Sequence, residues 1–218
     1  APQLQQELEA AVSDSLNWSP WPVDRDRLVA GLMAVIDTPL GPMFADRPLR
    51  DLKPADRLDE MSFDLTLGEG GGRPSDADPG ELLLRHLGPD DALRGWASRL
   101  ATGPFSTVLA GHLTGSIDLV ARVRHPDGVE RFVVCDYKTN RLARSGVTPT
   151  AENFRPGQLP AAMADADYPL QALLYSVALH RYLRWRLGGT YEPAVHLGGV
   201  GYLFVRGVFS PEEAARMM

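Results

Sequence analysis

Apolar residues recur every three or four positions along several stretches of the chain, and this spacing predicts amphipathic helices. The predicted helices span residues 3–16, 26–36, 81–87, 91–100 and 169–187. Gly188-Gly189 is expected to end the last and longest helix, because glycine readily adopts the backbone conformation that follows a helix. The apolar residues expected to face inward on that helix are Leu170, Leu173, Leu174, Val177 and Leu183.

Other segments predict β-strands, either because apolar and polar residues alternate or because β-branched apolar residues form a short run. These strands span residues 60–67, 115–120, 132–138 and 200–206. The turn residues His125-Pro126-Asp127-Gly128 separate the second strand from the third, which predicts a hairpin. Loops are predicted over 68–80 and 143–160, and Ser210 is placed to cap a short C-terminal helix.

A chain of 218 residues with 44% hydrophobic residues can bury a sizeable core. No apolar run approaches the roughly 20 residues of a membrane span, and no signal peptide opens the sequence. The one cysteine, Cys135, excludes an internal disulfide and a cysteine-based zinc site, and its apolar neighbours predict a buried thiol. These features fit a cytoplasmic protein. We expect one domain over 1–218, with a helical part at 1–55 and the core at 56–218.

The formal net charge of −6 does not by itself indicate nucleic-acid binding. Net charge describes the whole surface, however, so an acidic protein can still contain a locally basic channel. Nearly all the basic residues are arginine, and the only lysines are Lys53 and Lys138. The lysine at position 138 is notable because, unlike arginine, it can give up a proton.

Three charged residues come close together if the predicted hairpin forms: Asp118 on its first strand, and Asp136 and Lys138 on its second. Side chains alternate across a strand, so residues 136 and 138 project from the same face. Neighbouring carboxylates repel each other, and a divalent cation relieves that repulsion. Oxygen ligands suit Mg²⁺ or Mn²⁺, which leaves the lysine to contact a water molecule or a phosphate oxygen. A structural ion pair would produce the same residues, so both interpretations remain open.

Several other polar residues also allow a functional and a structural interpretation. Gln171 and Tyr175 share one face of the last helix, where they either pack on the sheet or reach the carboxylates or a DNA phosphate. The basic end of that helix, from His180 to Arg186, is either a solvated face or a guide for a nucleic-acid backbone. We expect no chemical role for His112 and a surface position for Glu60.

Together these patterns resemble the RecB-type nuclease family of the PD-(D/E)xK superfamily. The resemblance rests first on Gly115-x-x-Asp118-Leu119, on Asp136-Tyr137-Lys138-Thr139-Asn140 and on Tyr168-Pro-Leu-Gln171-x-x-x-Tyr175. Further matches extend it over nearly the whole chain and narrow it to the C-terminal nuclease domains of the bacterial RecB family. They lie at residues 38–41, 60–65, 178–184, 198–200 and 202–207.

The resemblance implies an α/β fold with a restriction-endonuclease-like core, in which helices flank a central mixed sheet. It also implies that Asp118, Asp136 and the backbone carbonyl of Tyr137 bind Mg²⁺, with Mn²⁺ or Ca²⁺ as alternative occupants. Lys138 would orient or activate the attacking water and stabilise charge on the phosphate. The implied reaction is the hydrolysis of DNA phosphodiester bonds by an exonuclease of the exodeoxyribonuclease V type.

The resemblance further implies that Gln171 and Tyr175 flank the active site and contact DNA. The implied setting is double-strand-break repair and recombination, with the RecB helicase region, RecC and RecD as partners. The alternative is a non-catalytic module that docks the recombinase RecA within the RecBCD complex. The intact set of Asp118, Asp136 and Lys138 favours the nuclease, because a docking module does not need it.

One residue of the family pattern has no counterpart in this sequence. In the RecB family a histidine on a helix upstream of the first strand completes the metal site, whereas His86, the first of the five histidines here, follows that strand. We therefore expect the chain to be a fragment of a longer protein. A site with two carboxylate ligands would hold Mg²⁺ weakly, so we expect low activity from the isolated fragment.

Overall fold

The computed structural model describes residues 2–66, 79–102 and 112–208. The α-helices in these ranges are α1 (Pro2–Leu16), α2 (Arg25–Asp37), α3 (Pro79–His86), α4 (Arg94–Thr102), α5 (Leu159–Asp165), α6 (Tyr168–Leu187) and α7 (Pro193–His196). The strands are β1 (Arg57–Thr66), β2 (His112–Arg124), β3 (Glu130–Lys138) and β4 (Leu197–Phe204). Most of the predicted loop over 68–80, and the predicted helix at Ser210, lie outside the described residues.

The four strands form one mixed sheet in the order β1-β2-β3-β4. β1 and β3 each pair with β2 in the antiparallel sense, whereas β3 and β4 are parallel. Parallel strands require a crossover connection, and α6 lies in the connection between β3 and β4. As a result the beginning of α6 lies beside the end of β3, where Lys138 contacts Gln171. The predicted hairpin and mixed sheet are confirmed.

Both faces of the sheet are covered at β2 and β3. On one face, α6 packs against a cluster formed by Ile117, Val120 and Val134 of the sheet and Tyr175, Ala178, Leu179 and Leu183 of the helix. The opposite face packs against Phe44 and Leu52, which lie in the connection between α2 and β1. That connection contains the short 3₁₀ helices Pro42–Phe44 and Leu49–Asp51. The α/β class is confirmed, and the arrangement is consistent with a restriction-endonuclease-like core.

The inward face of α6 differs from the predicted one at one position. Val177 is 38% exposed, although the sequence pattern placed it inside. Tyr175, buried against the sheet, occupies the inward stripe instead, and a residue two positions further along lies about 200° around the helix. The prediction for Val177 is therefore wrong, because the helix directs this position away from the sheet.

The region predicted as irregular between 143 and 160 contains more regular structure than expected. Ala151–Phe154 forms a 3₁₀ helix, which begins at a capping box between Thr150 and Asn153. α5 then begins at Leu159. The sequence pattern does not reveal short helices of this kind, because they contain too few residues to show a helical period.

α2 and the turns that follow it are apolar. Val29, Val35 and Phe44 are buried. No single helix in the described ranges is long and apolar enough to cross a membrane, although the pair Arg25–Asp37 and Pro42–Asp51, bent by 70°, reaches that length and composition.

The division of the chain into 1–55 and 56–218 stays a prediction.

The sheet is distorted where Asp118 lies. Residues two apart on a strand normally face the same side, yet Ile117 packs against α6 while Leu119 packs on the opposite face. On the neighbouring strand, Glu60 lies between the partners of these two residues and has a positive φ of 51°. Both strands therefore bend at this point, and the direction of the Asp118 side chain does not follow from simple alternation.

Candidate active site

Asp136 is the one charged residue that is buried in the described part of the chain, with 3% of its surface exposed. Its Oδ1 accepts a 3.1 Å hydrogen bond from the hydroxyl of Tyr175. Its Oδ2 forms an ion pair with Nζ of Lys138 but accepts no hydrogen bond of ordinary geometry from the described residues. Burying a carboxylate costs free energy unless it is paired and hydrogen-bonded. The charge of Asp136 is therefore stabilised by Tyr175 and Lys138.

Asp136 and three neighbouring side chains form a closed ring of polar contacts. Lys138 donates from Nζ to Oε1 of Gln171 at 2.9 Å, and Gln171 donates from Nε2 to the hydroxyl of Tyr175 at 2.8 Å. The Tyr175 hydroxyl then donates to Asp136, which closes the ring through its contact with Lys138. The ring forms because two side chains share one face of β3 and the other two share one face of α6.

The hydroxyl of Tyr175 is held as a donor by its surroundings. Burial and the negative charge of Asp136 raise the pKa of Tyr175 above its usual range, and its hydrogen bond to that carboxylate acts in the same direction. The hydroxyl therefore keeps its proton at neutral pH. Tyr175 packs on the sheet and also reaches a carboxylate, so the contacts fit both interpretations of Gln171 and Tyr175.

Asp118 joins this group through the backbone of β3. Its Oδ2 accepts a 2.9 Å hydrogen bond from the N–H of Tyr137, which lies between Asp136 and Lys138. The place of the Tyr137 carbonyl as a metal ligand stays a prediction.

These oxygen groups fit a hard divalent cation. Carboxylates and backbone carbonyls are the ligands that Mg²⁺ and Ca²⁺ prefer, and Oδ2 of Asp136 has unused capacity as an acceptor. Among the described residues, no three His, Cys, Asp or Glu side chains come together as a metal-binding group. The assignment of Asp118, Asp136 and the carbonyl of Tyr137 as Mg²⁺ ligands stays a prediction.

Two tyrosines that the sequence interpretation left without a role complete the surroundings of Lys138. Nζ of Lys138 lies 4.1 Å from the ring centroid of Tyr168 and 5.2 Å from that of Tyr202. Both residues belong to stretches that carry the family resemblance, and this was the signal available in the sequence. Their convergence depends on the parallel pairing of β3 with β4, which local patterns do not reveal.

The remaining candidate residues lie elsewhere. The imidazole of His112 contacts Asp64 at 3.0 Å on the exposed surface of β1 and β2, and Glu60 is exposed as expected. At the end of α6, exposed arginines extend away from the carboxylates, and Tyr175 to Arg186 spans about 16 Å along the helix axis. The solvated interpretation and the nucleic-acid interpretation of that basic end both stay predictions.

Cys135 is a core residue, as predicted. It is 2% exposed and packs on the sheet face opposite α6. Burial, with smaller contributions from the charges of Asp136 and Asp118, raises the pKa of this thiol to about 12. Because thiolate is the reactive form of cysteine, this side chain is chemically inert at neutral pH.

The structure thus brings six predicted site residues into one group at the end of β3. They are Asp118, Asp136, Tyr137, Lys138, Gln171 and Tyr175. Their roles in metal binding and catalysis stay predictions. The mixed sheet flanked by helices, with acidic and basic side chains at the end of its inner strand β3, defines the class. It is an α/β protein with a restriction-endonuclease-like core.

Comparison with known proteins identifies the family within that class. No protein-family model matches the chain. The RecBCD enzyme subunit RecB of Mycolicibacterium smegmatis is 48% identical over 195 residues, which cover 86% of this chain and 18% of that protein. The RecBCD enzyme subunit RecB of Mycobacterium tuberculosis is 46% identical over 220 residues, covering 95% of this chain and 19% of that protein.

A more distant relative carries the same name. The RecBCD enzyme subunit RecB of Escherichia coli is 34% identical over 182 residues, which cover 83% of this chain and 13% of that protein. The chain therefore belongs to the RecB family, as a homologue of one segment. It spans less than a fifth of the length of each of these relatives.

Proposed function

We propose that this chain is the Mg²⁺-dependent nuclease module of a RecB subunit and hydrolyses phosphodiester bonds of DNA during double-strand-break repair and recombination. The observation that supports this most directly is the hydrogen bond from the N–H of Tyr137 to Asp118. It joins the acid of β2 to the two charged residues of β3. Without that bond, Asp136 and Lys138 would be an ordinary buried ion pair.

The metal would be held by Asp118, Asp136 and the carbonyl of Tyr137. Bound Mg²⁺ would supply a Lewis acid that stabilises charge on the phosphate and lowers the pKa of a water molecule. The protein contributes the orientation of the ligands. Tyr175 fixes Oδ1 of Asp136 by hydrogen bonding and leaves Oδ2 directed toward Lys138.

Lys138 would act on the reacting phosphate or on the attacking water. An ammonium group in a partly buried site stabilises developing negative charge more strongly than it would in water. Gln171 restricts the flexible lysine side chain by accepting a hydrogen bond from its ammonium. Gln171 and Tyr175 would also flank the DNA backbone as it enters the site.

The proposed setting is compatible with the acidic net charge of the chain. Within a RecBCD complex, the helicase region of RecB, together with RecC and RecD, would deliver single strands to the nuclease module. A domain that receives its substrate in this way does not need a strongly basic surface of its own. The net charge of −6 is therefore compatible with action on DNA.

The test is a RecB subunit carrying Asp136→Ala, assembled with RecC and RecD. We expect Mg²⁺-dependent release of labelled nucleotides from single-stranded DNA to disappear, while ATP hydrolysis and unwinding continue. Asp14→Ala, at an exposed position of α1, is the matched control and should leave cleavage unchanged. Unchanged cleavage by Asp136→Ala would contradict the proposal and, with retained capture of RecA, would favour the docking alternative.

A further inference from the structure

The ammonium of Lys138 lies against two stacked aromatic rings. Its Nζ atom is 4.1 Å from the ring centroid of Tyr168 and 5.2 Å from that of Tyr202. The two rings are 5.4 Å apart with 18° between their planes. Aromatic faces carry a negative quadrupole that attracts a cation within about 6 Å. The lysine is therefore contacted by two rings in addition to Asp136 and Gln171.

Each ring is fixed by its own hydroxyl group. Tyr202 donates a 2.7 Å hydrogen bond to the backbone carbonyl of Tyr168, which joins β4 to the first residue of α6. Tyr168 donates a 2.8 Å hydrogen bond to Oδ1 of Asn140, which joins α6 to the segment just after β3. The two tyrosines thus connect the three segments that surround Lys138, and neither ring can rotate away without breaking a hydrogen bond.

Lysine needs such restraint more than most residues. Its ammonium is carried on a flexible four-carbon stem. Lys138 is held on one side by Asp136 and Gln171. The rings supply the remaining contacts, and their planar shape limits the positions that the ammonium can occupy. An aliphatic side chain would fill the same space but would offer the cation no favourable face.

We propose that Tyr168 and Tyr202 are positioning residues, whose ring faces hold the ammonium of Lys138 where it meets the scissile phosphate. This inference rests on the proposed nuclease function and adds residues to it. The tyrosines act through Lys138 and do not themselves contact the reacting atoms. Their contribution therefore belongs to the rate of cleavage and not to the affinity for DNA.

Leucine substitutions test the role of the rings. In RecB assembled with RecC and RecD, Tyr168→Leu and Tyr202→Leu should each lower kcat for Mg²⁺-dependent cleavage of single-stranded DNA by about 10- to 100-fold, the range expected when a reacting group is misplaced by about 1 Å. KM for the DNA and the rate of unwinding should not change. Tyr168→Phe and Tyr202→Phe lose the hydroxyl hydrogen bond but keep the stacking of the two rings on each other, so they should retain most of the rate.

A matched control removes a tyrosine that lies beyond the C-terminal end of α6. Tyr191 contacts His180 through its hydroxyl, at a distance from the carboxylates. Tyr191→Leu should therefore cleave at the wild-type rate. If the leucine variants at 168 and 202 also cleave at that rate, or if the phenylalanine variants are as slow as the leucine variants, the inference is wrong.

A second measurement avoids any effect on folding. Phenylalanine at position 168, replaced in steps by its mono-, di- and trifluorinated forms, keeps the shape of the ring while weakening its negative face. We expect kcat to fall with each added fluorine. Rates that do not change along the series overturn the inference, even if the leucine variants fail to assemble. Failure of the nuclease proposal is a separate result, since it requires cleavage by Asp136→Ala.

Discussion

The carboxylate of Asp118 accepts a 2.9 Å hydrogen bond from the backbone N–H of Tyr137. This bond attaches the acid of β2 to β3 at the position between Asp136 and Lys138. The bond restricts the rotation of the Asp118 side chain relative to β3. Ligands that are held in place before a cation arrives lose little conformational freedom when it binds.

Asp118→Asn separates the charge of this residue from its hydrogen bond. The amide oxygen of Asn can still accept a hydrogen bond from the N–H of Tyr137, so the free energy of unfolding should change by less than about 1 kcal/mol. Loss of the negative charge should lower Mg²⁺-dependent DNA cleavage by about 10²-fold or more. Denaturant unfolding and a nuclease titration with Mg²⁺ check the two effects.

Asp64→Asn is the control for this change. Asp64 is an exposed acid on β1 whose carboxylate pairs with His112. The Asp64→Asn variant should keep the stability and the DNA-cleavage rate of the wild-type protein. An Asp118→Asn variant that cleaves DNA at the wild-type rate would show that the charge on β2 has no part in the reaction.

Gln171→Leu opens the ring of polar contacts. Nζ of Lys138 and the hydroxyl of Tyr175 each lose one hydrogen-bond partner in a partly buried site. Unsatisfied groups of this kind cost about 1–3 kcal/mol, and we expect the free energy of unfolding to fall by that amount. Gln5→Leu, which removes an exposed contact with Glu9 on α1, should cost far less. Equal stabilities of the two variants would mean that the ring does not stabilise the fold.

Gly115→Ala should strain the sheet close to the site. A Cβ atom at this position would lie 2.5 Å from Cζ of Phe63 on the neighbouring strand, so the ring would have to move. Overpacking of this kind costs about 1–3 kcal/mol, measurable by urea unfolding. Gly31→Ala in α2 meets no atom within 4 Å and should stabilise the helix by about 1 kcal/mol. If both variants show the same stability, steric contact with Phe63 is not the reason for glycine at 115.

The thiol of Cys135 should resist alkylation. Burial raises its pKa to about 12, so almost no thiolate is present at pH 8 and the sulfur is shielded from reagents. We expect iodoacetamide to modify the protein only after denaturant unfolds it, as measured by mass spectrometry. Rapid modification of the native protein would show that β3 opens readily in solution.

The raised pKa of the Cys135 thiol also predicts that the protein loses stability in alkaline solution. Its pKa rises on folding from 9.0 to about 12. Between these values the unfolded chain releases a proton that the folded chain retains, so stability is lost as pH rises. The slope from this one group is about 1.4 kcal/mol per pH unit. Cys135→Ala should remove that component, and a variant with the wild-type slope between pH 9 and 12 would contradict the assignment.

Much of the fold and part of the site could be predicted from local patterns. The period of apolar residues located α1, α2, α6 and the hairpin of β2 and β3, because periodicity reflects the backbone geometry of consecutive residues. It also placed Asp136 beside Lys138 on one face, and Gln171 beside Tyr175 on another. Each of these pairs lies within one element, where two or four positions of spacing determine which side chains are neighbours.

The tertiary structure decided how these pairs meet. Asp118 lies at a bend that breaks the alternation of β2, so its contact with Tyr137 depends on how two strands pair. Tyr168 and Tyr202 reach Lys138 only because β4 joins the sheet parallel to β3. Local spacing therefore determined which residues share a surface, whereas packing between distant segments determined which surfaces face each other. The physical reason is that pairing and packing depend on burial summed over the whole chain.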